Sequence, residues 1–63
     1  MCQMTVVLQE NGTEKTIVEG ATLLEVDGDL IRVSTFFEAP AEVTGAVLRS
    51  IDFLGGRVIL EKK

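Results

Sequence analysis

Sixty-three residues leave room for one domain, expected to span residues 1–63, and for one core. Ten acidic residues against six basic ones give a net charge of −4, which argues against nucleic acid, whose binding draws on many Lys and Arg contacts to phosphate. With no histidine, Ser-His-Asp and Cys-His catalysis are excluded, and with one cysteine so is any disulfide within the chain. A domain this short buries only about 60% of the surface its unfolded chain exposes. Proteins of this size commonly add a metal or a partner subunit to make up the difference.

The chain is cut by turn residues into short, β-branched runs. The first, from Gln3 to Glu10, ends at Asn11-Gly12, a strong hairpin signal because both central positions of a type I′ turn need positive φ. Lys15 to Glu19 reads as a second strand, broken at Gly20. Thr22 to Val26 reads as a third, ending at Asp27-Gly28, a second type I′ candidate. From Asp29 to Phe36 the pattern alternates, with Ile31, Val33 and Thr35 on one face and Leu30, Arg32, Ser34 and Phe36 on the other. The stretch from Phe37 to Glu42 holds the sole proline, Pro40, and reads as the longest loop or a short helical turn. Val43 to Phe53 is expected to be one long strand with a bulge or bend at Gly45, although Ala39 to Leu48 competes as a helix start. Gly55-Gly56 turns the chain into Arg57 to Leu60. The expectation is an all-β, six-stranded antiparallel meander or small open barrel.

No run is apolar enough for a membrane span, and no charged stretch precedes an apolar one as in a signal peptide. Together with the lone cysteine, this leads to an expected cytoplasmic location. The glycines lack the spacing of a phosphate-binding loop, and no pair of carboxylates is singled out for acid–base work. Asp27, Asp29, Glu14 and Glu25 read as solvated turn and surface groups. An enzymatic role is not expected.

Cys2 is the one chemically distinctive group. Removal of Met1 would leave its thiol beside a free α-amine, two groups with reference pKa values of about 8.5 and about 8. A metal ion competing with both protons would gain a five-membered N,S chelate. Such donors in a square plane suit Ni(II) or Cu(II), whereas thiolates alone favour Cu(I) or Zn. One chain offers two strong donors, or three with the Gln3 amide, so four-coordination asks for a second copy and a homodimer with both Cys2 residues on its axis. The plainer alternative is that Cys2 is a small buried hydrophobe, on the same strand face as Met4, Val6 and Leu8. Met4, as a thioether ligand, and Phe36, Phe37 and Phe53, as base-stacking platforms, have better readings as core or dimer-interface packing.

Met1-Cys2 followed by Met4-Thr5-Val6-Val7-Leu8 resembles the start of CooT-type nickel-binding proteins. So do Leu24-Glu25-Val26 leading to Asp27-Gly28, Leu30-Ile31-Arg32-Val33, the block from Gly45 to Phe53, and the closing Arg57 to Leu60. The resemblance implies a small cytoplasmic homodimer with an open barrel of the Sm/SH3-like kind. It also implies nickel bound through Cys2 and an apo-metalloenzyme client, carbon monoxide dehydrogenase in the family. Small hydrogenase-maturation chaperones also begin Met-Cys, but continue with a proline-containing pattern that Gln3-Met4-Thr5-Val6 does not match. A plain protein-interaction module and an Sm-like RNA-binding barrel are the alternative functions.

Overall fold

The computed structural model describes residues 3–63. Six strands follow one another: β1 (Met4–Glu10), β2 (Thr13–Asp27), β3 (Leu30–Thr35), β4 (Ala41–Thr44), β5 (Ala46–Asp52) and β6 (Arg57–Lys62). They form one sheet in the order β4-β3-β2-β1-β6-β5. The all-β, six-stranded expectation therefore holds. Four of the five pairings are antiparallel, while β1 and β6 run parallel, Val6 facing Val58 and Leu8 facing Leu60. Among the described residues no helix is long and apolar enough to cross a membrane.

The expected break at Gly20 and bulge at Gly45 exchange roles. Thr13–Asp27 is one strand of 15 residues. Straight, it would measure about 50 Å at ~3.3 Å per residue, yet the longest dimension of the molecule is 31 Å. The strand must bend. Gly20, with φ +75°, sits where the register to β1 slips, so the bend is taken at a residue that tolerates a left-handed backbone. Before the bend β2 pairs with β1, and from Ala21 onward it pairs with β3.

At Gly45 the opposite happens. A single residue separates β4 from β5, which are the two ends of the strand order. Two edges joined by one residue cannot lie far apart, so the sheet must curl on itself at that corner. Gly45 has φ +73°, and its carbonyl accepts a 2.9 Å hydrogen bond from the Lys63 backbone N–H at the end of β6. The expected long strand from Val43 to Phe53 is thus two strands, and the expected strands on either side of Gly20 are one.

The turns are largely as read. Asn11 and Gly12 have φ of 53° and 78°, as a type I′ hairpin requires. The second hairpin is corrected: Asp27 pairs with Leu30, so its central residues are Gly28 and Asp29, and Gly28 alone has positive φ. That is the type II′ pattern.

The core lies between the two halves of the curled sheet. Val6, Val58 and Leu60 come from β1 and β6, Ile31 and Val33 from β3, Ala21 from the bend of β2, and Ala46 from the start of β5. Met4, Leu8, Ile17, Val18, Leu24 and Val43 pack around them. Leu48 and Ile51 share the inward face through their pairing with Leu60 and Val58, but β5 is an edge and both remain exposed.

Val7 points to the other face and is nevertheless only 2% exposed. The register explains this. Arg57 lies level with Thr5 and Glu14 level with Gln9, so the 3.0 Å Arg57–Glu14 bond crosses β1 diagonally at Val7. Gln9 bonds Glu14 at 2.9 Å and accepts a 2.8 Å bond from Arg49, which pairs with Glu61 at 3.5 Å. This polar lattice covers the outer face of β2, β1, β6 and β5. The Gln9 bond first, then the one from Arg57, holds the Glu14 carboxyl below its ordinary pKa.

Candidate functional site

Cys2, the expected metal ligand, lies outside the described residues. What surrounds the start of β1 is described. The Thr5 backbone N–H donates to the Gly56 carbonyl at 2.8 Å, fastening the first residues of β1 to the turn before β6. A Cβ at Gly20 would lie 3.7 Å from the Gln3 side-chain oxygen, and one at Gly56 would lie 3.7 Å from the Gln3 carbonyl. Gln3, the residue after Cys2, therefore lies between the β2 bend and the β5–β6 turn.

Large apolar side chains stand exposed on both sides of that point. Phe53 and Leu54 occupy the β5–β6 turn and are 82% and 101% exposed. Phe36 and Phe37 follow Thr35, which pairs with Ala21, the residue opposite Met4. They are also exposed, and their rings meet edge to face with centroids 6.4 Å apart. Of the two packing readings of Phe36, Phe37 and Phe53, core or dimer interface, the core one is corrected: none contributes to the core cluster.

Local hydrogen bonds present these side chains. Asp52 Oδ1 accepts from the Leu54 and Gly55 N–H groups at 3.1 and 2.9 Å, and Thr35 Oγ1 accepts from those of Phe37 and Glu38 at 3.3 and 3.0 Å. These are Asx- and Thr-turns, in which a short polar side chain replaces a backbone acceptor and fixes the residues after it. Leu54 carried no weight in the sequence reading. The signal was present in Asp52-Phe53-Leu54-Gly55-Gly56, because apolar residues inside a turn capped by Asp have no sheet face to join.

Among the described residues no three His, Cys, Asp or Glu side chains are grouped to hold an ion. Met4 packs against the core beside Ala21, as its apolar reading expects. Asp29 pairs with the Lys63 ammonium, and Glu25 and Glu42 both face Arg32.

The family described as "CO dehydrogenase accessory protein CooT" matches residues 1–61, a span that includes Cys2. The chain belongs to the CooT family. Its fold matches a crystal structure of a protein described as CooT from Carboxydothermus hydrogenoformans, with a TM-score of 0.84 and 98% of each chain covered. Identity between the two is 16%, so that likeness speaks for the CooT fold and not for any site. A comparison with curated proteins gives no match. As a member of a family of accessory proteins, the chain is assigned to metalloenzyme maturation.

Proposed function

We propose that this CooT protein binds nickel through Cys2 as a homodimer and hands the ion to an apo-metalloenzyme, with carbon monoxide dehydrogenase the client that the family description names. The observation that carries the reading is the family match, which begins at residue 1 and so takes in the chain's one cysteine. Nickel is cargo here, and no covalent step is involved.

Donor chemistry supports the reading. Without histidine the chain has a single strong soft ligand, the Cys2 thiolate. Binding displaces the thiol proton, so uptake rises with pH toward the ordinary thiol pKa of about 8.5. Where Met1 has been removed, the α-amine completes a chelate, and two copies supply an N2S2 plane. The exposed Phe53 and Leu54, beside the start of β1, offer apolar surface for that second copy to cover. Chelation captures the ion, and release follows when ligands of the client displace those of the two chains. The expected location is the cytoplasm.

Nickel titration of the wild type and of Cys2→Ala tests the reading, followed by thiolate-to-nickel charge-transfer absorption. The band should develop in the wild type and be absent from Cys2→Ala. Equal nickel uptake by the two proteins defeats the proposal.

A further inference from the structure

A second feature stands apart from the nickel reading. Residues 13–20 of β2 pair with β1 on one edge, while β3 joins β2 only from Ala21 onward. Among the described residues, no strand takes the other edge of that first half. An edge of this kind presents unpaired N–H and C=O groups in register for another strand. Across from it stands the β3–β4 loop, and between the two lies a cleft of about 470 Å³, lined by residues 16–19 on one side and by Phe37, Glu38 and Ala39 on the other. Its volume falls in the range of about 300–1,000 Å³ that ligand pockets occupy.

The chemistry of the cleft narrows the occupant. Its two carboxylates, Glu19 and Glu38, take part in no ion pair among the described residues. Four basic residues, Arg32, Arg49, Arg57 and Lys63, are engaged elsewhere. Ile17, Val18 and Phe37 give the same cleft an apolar lining. The Thr35 hydroxyl holds the loop wall in place through the Phe37 and Glu38 N–H groups, so the cleft is formed before anything enters it. Register slips flanking Val6 in the β1 pairing bend this edge, which disfavours a long flat strand such as that of a second copy. Of the free edge only residues 16–19 line the cleft, about 13 Å at ~3.3 Å per residue, which suits a short segment.

We propose that this cleft binds an extended segment of a partner protein in which basic and apolar residues alternate, added as a strand to the free edge of β2. Backbone hydrogen bonds supply the register, alternate side chains fall to opposite faces, and one set meets Glu19 and Glu38 while the other meets the apolar lining.

The test uses the full chain and a fluorescent octapeptide of alternating lysine and valine, read by anisotropy. Saturable binding is expected, weakened at least tenfold by the combined Glu19→Lys and Glu38→Lys changes and abolished by N-methylation of alternate peptide bonds. Both glutamates are exposed, and circular dichroism checks that the variant keeps its fold. Cys2→Ala should bind the peptide as the wild type does, so failure of the nickel reading leaves this inference standing. Three outcomes overturn it: no saturable binding, equal binding of the N-methylated or a glutamate–valine peptide, or loss of binding in Cys2→Ala.

Discussion

Replacing Gly45 by alanine isolates the corner that closes the sheet. A Cβ built there meets nothing within 4 Å, so packing neither gains nor loses by the change. What remains is the backbone, fixed at φ +73°. Holding an L-residue in the left-handed region costs about 1–2 kcal/mol. Against this, alanine restricts the unfolded chain and returns about 0.4–1 kcal/mol. The net loss should be about 1 kcal/mol. A chain of this length has a total stability of about 3–9 kcal/mol, at ~0.05–0.15 kcal/mol per residue. The change is therefore visible without unfolding the protein, and corresponds to a fall in Tm of about 4–8 °C. Urea unfolding at one fixed protein concentration, which controls for self-association, is the assay. Asparagine tolerates the left-handed region better than alanine, so Gly45→Asn should lie between wild type and Gly45→Ala. A loss above ~3 kcal/mol would mean that the corner is packed after all. No loss, or asparagine worse than alanine, would mean that Gly45 does not hold this conformation in solution.

Other expectations follow from burial and charge. Leu60 is 0% exposed at the centre of the core, and Leu60→Ala should cost about 2–5 kcal/mol, a large share of the total stability, read as a lower urea midpoint. Leu54→Ala removes the same atoms from a fully exposed turn and should change stability by less than ~0.5 kcal/mol, as chemical denaturation would show. Glu14 has a folded pKa below its usual 4.5, so its contribution is present above that value and is lost as pH falls through the folded pKa. Glu14→Gln should flatten acid unfolding in that window, and an unchanged acid limb would dismiss the role given to the Gln9 and Arg57 bonds.

Much of the fold can be read from residue order, because its strands are short and their faces alternate. Ile31 and Val33 fall inward and Arg32 outward, as the alternation requires, and the Asn11-Gly12 hairpin has the expected geometry. Six strands were expected and six exist, yet two errors cancel in that number. Gly20 and Gly45 have nearly the same φ, one inside a continuous strand and the other between two. Nothing local separates these outcomes. At Gly20 the strand continues because β3 takes over as its partner where β1 begins, whereas at Gly45 the chain leaves one edge of the sheet for the other.

The parallel pairing of β1 with β6 is equally hidden, since Val6 and Val58 are partners from opposite ends of the chain and no local pattern links them. Val7 looks like one more strand valine in the sequence. Its burial depends on arginine and glutamate side chains from β6 and β2 that meet above it. The candidate ligand was the easiest feature to find, because a lone cysteine in a histidine-free chain has no rival of its kind. Whether Phe36, Phe37 and Phe53 join the core is not legible in the sequence, because apolar character gives no direction, and their outward placement follows from the Asp52 and Thr35 turns.

Native mass spectrometry of the wild type and of Cys2→Ala, with and without nickel, addresses the central claim in one measurement. It reports the mass of each chain, the number of chains and the number of ions together. The account predicts two wild-type chains sharing one nickel ion, and Cys2→Ala chains carrying none. Nickel retained by Cys2→Ala, or bound one-to-one by single wild-type chains, would contradict it.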